Sequence, residues 1–320
     1  MFSCKPLRIS DRQPQPPLTT YFWSSSSFEG EETIFLFMFK INRISKLSFT
    51  VTLMLITMAG LPFNVNNHRH DRAVAQTVAN SQSLNYQQYQ QVLKTYVKGI
   101  RVDYRSLQSN RGTLDRFNKS LGNVSQATYN SWNDKEKIAF LINAYNSFTL
   151  ESIIDQKPIK ASIRDIPGVW KRRKFKVAGQ QKTLDNIEHD ILRKDFNEPR
   201  LHMALVCAAK SCPPLRKEAY TGQKLDSQLD DQTRQFLKSP HGFKIDRQKK
   251  RVYLSSIFKW FGEDWLQTYR VNGNQFAGNA KQKAVLNFVS QYLNEADRNF
   301  LIQGDYKISY LRYDWSLNGN

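Results

Sequence analysis

The residues with the densest chemistry lie between positions 202 and 212, where His202, Cys207 and Cys212 place an imidazole and two thiols in one short run. Residues of these types support four arrangements. A thiolate activated by an imidazole attacks acyl carbons, as in papain-like or transglutaminase-like enzymes. Two thiols in an oxidising compartment pair as a disulfide. Thiols and imidazoles bind zinc, although the H-x4-C-x4-C spacing fits no usual zinc motif. Cysteines also pack simply as small hydrophobes. The sequence leaves all four open. In the nucleophilic reading Cys212 or Cys207 attacks, His202 or His189 moves the protons, and Asp314 or an amide orients the base. No metal site and no cofactor is expected.

Further polar groups stand on apolar elements. Asn143 and Asn146, three residues apart on a helix, share one face, with Tyr145 between them. Buried amides must find partners, so the pair implies either ligand contacts or a clamp on neighbouring backbone. His189 and Arg193, four apart, lie opposite the apolar stripe of a second helix. They face either solvent or a cleft, where the planar fork of Arg193 would suit a carboxylate or phosphate. Asp314, between Tyr313 and Trp315, pairs either with a cleft residue or in a salt bridge that locks the C-terminal strand.

The elements that must position these groups follow from periodicity. Tyr89, Val92, Leu93 and Tyr96 predict a first helix, and Leu114 to Leu121 another. Ser131 and Asn133 are candidate N-caps, and the run from Asp134 to Asp155 predicts a helix apolar on nearly every side, hence central and buried. Val169 to Thr183 reads as strand-like with a turn at Gly179, and Leu184 to Lys194 as a helix. The apolar run Leu201 to Cys207, bounded by prolines, reads as a buried strand, whose alternation would put His202 and Cys207 on opposite faces. Helices over Ser227–Leu237, Ser256–Thr268 and Lys281–Asn294, a hairpin through Phe243–Ile245 and Val252–Leu254, and a last strand over Lys307–Tyr313 complete the pattern. The fold class is α+β: one helix-rich domain, 89–320, with a central buried helix and a small, mostly antiparallel sheet.

Four motifs in order, AFLINAYNSFTL, TLDNIEHDILR, RLHMALVCAAKSCPPLR and YLRYDWSLN, resemble the family called domain of unknown function 547, from about Val102 to the end. Val206 departs from the pattern, which has Asn before the first cysteine. The resemblance implies a shared fold and a shared pocket, and favours a cleft-lining role for His189 and Arg193. It implies no established activity.

The beginning of the chain reads differently. Residues 1–37 have no period and form an expected upstream extension. From Met38 a basic stretch (Lys40, Arg43, Lys46), an apolar run Leu47 to Leu61 and small residues at Ala73 to Ala75 follow in the order of a secretory signal peptide. The apolar run is short for a bilayer span. Residues 38–75 are therefore expected to be a cleaved signal or, alternatively, an N-terminal anchor, and 76–88 a flexible lead-in. Export, periplasmic or extracellular, would leave Cys207 and Cys212 as the mature thiols. The chain carries a formal charge of +19, which favours an anionic envelope component as partner, but its basic residues are scattered and match no nucleic-acid-binding pattern. Without a Gly-rich phosphate loop, G-x-S-x-G or H-E-x-x-H, nucleotide hydrolysis, serine hydrolysis and zincin chemistry lose their usual support. The sequence thus points to a cysteine/histidine-dependent hydrolase or acyl transferase of the cell envelope. The alternative is a non-catalytic binding module for an anionic ligand or protein partner, with Cys207–Cys212 as a structural disulfide.

Overall fold

The computed structural model describes residues 84–319. The expected extension, the leader and most of the lead-in lie outside the described residues. Among the described residues helices dominate, and seven short strands form three small sheets. β1 (Val97–Lys98) pairs with β2 (Arg101–Val102), and β3 (Phe175–Val177) with β4 (Gln180–Lys182), both antiparallel. The third sheet joins β5 (Phe243–Asp246) and β6 (Arg251–Leu254) antiparallel, and β7 (Lys307–Tyr310) lies parallel to β6. The helix-rich α+β class, with small and mostly antiparallel sheets, is the one expected.

The helix Asp134–Ile154 is the organising element. Asn133 caps it, its side chain accepting from the Glu136 N–H, and Asp134 and Glu136 place negative charge at the positive end of the dipole. From Ile138 to Leu150 every side chain is buried. At the far end the acids Glu151 and Asp155 would oppose the dipole. They are neutralised by Arg173, which bonds both, and by Arg111, 2.6 Å from Asp155. No helix among the described residues is long and apolar enough to cross a membrane.

Two hydrophobic clusters result. One surrounds the central helix; the other is built on Phe236, Trp265, Phe288 and their neighbours. The segment from Leu201 to Val206 runs between them, with Leu201, Ala204, Leu205 and Val206 in the first cluster and Met203 in the second.

That segment is not the expected strand. Leu201–Ala204 is a helical turn, and the chain extends only from Leu205. The turn bonds are made locally, as from the Leu205 N–H to the Leu201 carbonyl at 2.9 Å and from the His202 N–H to the Pro199 carbonyl at 3.3 Å. The extended part has no neighbouring strand. Its pairing comes from Asn146, whose amide nitrogen donates to the Ala204 carbonyl at 2.9 Å while its oxygen accepts from the Val206 N–H at 2.8 Å. Asn143 treats Tyr220 in the same way, with bonds of 2.8 and 3.0 Å to its carbonyl and N–H. Each side-chain amide thus substitutes for a missing strand.

Three other expectations are revised. The helix from Ser256 breaks: Ser256–Phe261 passes into a 3₁₀ turn, Gly262–Trp265, before Leu266–Tyr269. Gly262, the poorest helix former of the run apart from proline, stands at the break. The helix Glu295–Gln303, capped by Asn294 and closed by Gly304 at φ +75°, had not been anticipated. Val169 to Lys174 forms turns rather than strand.

Replacing Asn146 by Ala leaves a buried carbonyl and a buried N–H without partners. Asn146→Ala should therefore lose about 3 kcal/mol of stability, read as a lower urea midpoint with unchanged slope. A loss under about 1 kcal/mol would show that the clamp is dispensable.

Candidate functional site

Cys207 and Cys212 are both free thiols. They belong to a tight loop that the C-terminal tail holds from one side. The Lys210 N–H donates to the Ser316 carbonyl at 2.9 Å, the Ser211 N–H to the Asp314 carbonyl at 3.2 Å, and the Asn318 N–H to the Ala208 carbonyl at 2.9 Å. Ala208 sits at φ +60°, a left-handed conformation that costs a non-glycine residue energy. It reverses the chain so that the Cys207 N–H donates to the Cys212 sulfur at 2.9 Å. The disulfide, one of the four arrangements left open, is not present; the thiols are neighbours that remain unlinked.

The two sulfurs are polarised unequally. The hydrogen bond from Cys212 draws the Cys207 thiol below its ordinary value. Burial and the nearby Glu188 oppose this, but the Tyr313 hydroxyl, 3.3 Å away, and the Ala209 backbone add to the lowering. Burial drives Cys212 the other way, and the adjacent Cys207 adds to it. Of the two, Cys207 is the half-exposed one and the better thiolate.

Cys207 and Cys212 open into a cavity of about 280 Å³. Tyr145 comes from the central helix and His202 from the short turn after Pro199. Asp185, Glu188 and His189 come from residues 184–195, a helix whose middle, Asn186–Leu192, is π-helical. The wide turn there carries the Arg193 N–H to the Glu188 carbonyl, five residues back; such insertions are common at functional sites. Ile257, Trp260 and Phe261 come from the helix before Gly262, and Tyr313 and Trp315 from the tail.

The His202 ring is buried and fixed. It stacks on Phe261 at 4.4 Å and on Trp265 at 5.3 Å, and its Nε2 lies 2.7 Å from Asp264 Oδ2. Asp264 is the hub of the polar network. Arg193 grips it through two bonds of 2.7 and 2.9 Å, and a third guanidinium nitrogen lies 3.0 Å from His189 Nδ1. Burial raises the Asp264 carboxyl, but bonds from His202 and Arg193 outweigh it and hold the group well below the usual carboxylate range. His202 also lines a second, polar cavity of about 370 Å³ together with Arg193 and Asp264.

Of the residues expected in a site, Cys207, Cys212, His202, His189 and Tyr145 thus share one cavity, and Arg193 reaches it through His189. The strand argument that separated His202 from Cys207 does not hold, because a helical turn, not alternation, orients His202. Asn143 and Asn146 stand apart: both ends of each amide are engaged with backbone. Asp314 also stands apart. It is exposed, and hydrogen bonds from Ser316 hold its carboxyl below its ordinary value. Its neighbours Tyr313 and Trp315 enter the cavity instead. No hydrogen bond among the described residues joins either thiol to either imidazole, and no three metal-ligating side chains among them are grouped to hold a metal ion.

Sequence reasoning missed Asp264, Glu188 and the aromatic walls. Glu188 adjoins His189 in the same motif, and Tyr313 and Trp315 flank Asp314, so a signal existed for these. Asp264 gave none: its role depends on folding 62 residues back onto His202.

The fold and the cavity define a helix-rich α+β domain with a thiol at the bottom of an aromatic pocket. Residues 129–237 match the family model described as Protein of unknown function, DUF547, so the resemblance carried by the motifs is borne out over that stretch. The match contains both cysteines and both pocket histidines but ends before Trp260, Asp264, Tyr313 and Trp315. No curated protein and no solved structure matches the chain.

Because its folded-state value is depressed, Asp264 contributes stability that is fully present above its ordinary value of 3.8 and is lost as the pH falls toward the folded value. The Tm gap between wild type and Asp264→Asn should be wide near about pH 7 and shrink below about pH 4. An equal gap at both pH values would mean that the carboxylate's charge is not what stabilises this network.

Proposed function

We propose that this pocket carries out acyl chemistry, hydrolysis or transfer, with Cys207 as nucleophile. What supports the proposal is the setting of Cys207 on the wall of a cavity, its sulfur 3.3 Å from the Tyr313 hydroxyl and its N–H 2.9 Å from the Cys212 sulfur, in surroundings that draw its thiol below the ordinary value. The Cys207 thiolate attacks the acyl carbon and forms a thioester as the bond to the leaving group breaks. His202 takes the Cys207 thiol proton as the sulfur attacks, delivers it to the departing amine or alkoxide, then takes a proton from the water or acceptor that cleaves the thioester and returns it to the Cys207 sulfur. Asp264 fixes the ring through Nε2, leaving Nδ1 as the exchanging nitrogen, and Arg193 fixes Asp264. This is the logic of a base oriented by a third group, with Asp264 in the place first considered for Asp314.

We also propose that the domain works after export. The support is the basic, apolar, small-residue order of residues 38–75.

The test is a single-turnover reaction with p-nitrophenyl acetate. Wild type should release a burst of roughly one p-nitrophenolate per chain, with the acetyl group found on Cys207 by mass spectrometry and no burst in Cys207→Ala. Iodoacetamide should label Cys207 with an apparent pKa below the thiol value of 9.0, and Cys212→Ala should slow that labelling near neutral pH by removing the hydrogen bond that lowers it most. Labelling without any acyl transfer would leave a binding module, and preferential labelling of Cys212 would overturn the assignment of the nucleophile.

A further inference from the structure

The walls of the thiol pocket differ in character from the rest of the surface. The chain carries +19, yet the cavity lining holds two carboxylates, Asp185 and Glu188, against one ammonium, Lys171. Lys171 is exposed, at the rim. Arg193, whose guanidinium reaches His189 of the lining, is already gripped by Asp264. Glu188 makes no ion pair of its own among the described residues; its hydrogen bond is with the Tyr145 hydroxyl, which burial holds protonated. Asp185 has only the His189 imidazole, 3.8 Å away.

Around these acids stand aromatic faces. Trp260, Tyr313 and Trp315 form one continuous wall, with ring centroids 4.7 to 5.9 Å apart. Trp170 meets Trp315 at 6.3 Å. Aromatic faces attract cations, most strongly where water is excluded, and ammonium groups are bound by this combination of rings and carboxylates. Two rings of the lining already hold cations of the chain itself, Arg164 over Trp315 at 5.3 Å and Arg193 over Phe261 at 4.8 Å. An anionic head group would instead meet Glu188 and Asp185 in a poorly hydrated site.

Resting on the reading of this pocket as the substrate site, we infer that the group it holds is an organic ammonium, primary or quaternary, seated against the aromatic wall with Glu188 as counter-charge. The cavity of about 280 Å³ takes a head group and presents the remainder of the molecule to Cys207. The anionic partner suggested by net charge would then belong to the outer surface, not to this site.

Tryptophan fluorescence tests this with choline, n-butylammonium, the uncharged choline isostere 3,3-dimethyl-1-butanol and methyl glucoside. Choline or butylammonium should bind saturably and at least about tenfold more tightly than the isostere. Glu188→Gln, which keeps a hydrogen bond to Tyr145, should weaken ammonium binding about tenfold and leave the isostere unchanged. Trp260→Ala, at a position 44% exposed and therefore tolerant of change, should weaken ammonium binding as well. Equal binding of charged and uncharged ligands, preference for the glycoside, no saturable ammonium binding, or an inert Glu188→Gln would each overturn the inference. Ammonium binding is read from tryptophan fluorescence and acyl chemistry from the p-nitrophenolate burst, both on the wild-type chain. Failure of the acyl chemistry with ammonium binding intact, and the reverse, are therefore separable results.

Discussion

A buried peptide group without a partner costs more than most side-chain contacts return, and the architecture around the pocket is an answer to that constraint. The segment carrying His202 and Cys207 runs between two hydrophobic clusters with no strand beside it. Asn146 supplies a donor and an acceptor at the spacing a strand would have used, and Asn143 does the same at Tyr220. Both amides stand on a helix whose remaining surface is apolar, so the two hydrogen-bonded points are the ones at which the crossing chain is held in register. Cys207 follows directly after Val206 and inherits its position from that clamp.

Electrostatics then divide the site into two coupled parts. On one side Asp264 gathers His202 and Arg193, and Arg193 touches His189, so one carboxylate sets the orientation of two imidazoles. On the other side the C-terminal tail holds the cysteine loop through backbone bonds and delivers Tyr313 and Trp315. Cys207 is lowered by the hydrogen bond from Cys212, whereas Cys212 is raised first by its own burial and then by Cys207. Aromatic rings of Trp260, Phe261, Tyr313 and Trp315 line the cavity that both parts share.

Periodicity made much of this legible. The central helix was read to within a residue of its end because a run apolar on all sides, with Asn133 ahead of it, has few other solutions. The hairpin ending at Leu254 and the turn at Gly179 followed from alternation and glycine. Leu201 to Cys207 was misread because a short apolar run bounded by prolines satisfies a buried strand and a buried helical turn equally well. The break at Gly262 and the helix from Glu295 were missed because their apolar stripes are weak. Within the site, the cysteines and histidines were legible from residue type, whereas Asn143, Asn146 and Asp314 were identified as polar groups needing partners without any indication of which partners.

By itself the amino-acid order determined the helix-rich class, the burial of Asp134–Ile154 and the presence of thiols and imidazoles in neighbouring motifs, since these depend on local periodicity and residue chemistry. Tertiary structure decided the rest. It brought Asp264 onto His202 across 62 positions and the tail onto the cysteine loop across about a hundred, and it turned Tyr313 and Trp315 inward while leaving Asp314 in water. Such pairings are set by which buried donors, acceptors and rings can be satisfied together in three dimensions, a condition on the whole packed chain that no single window of residues contains.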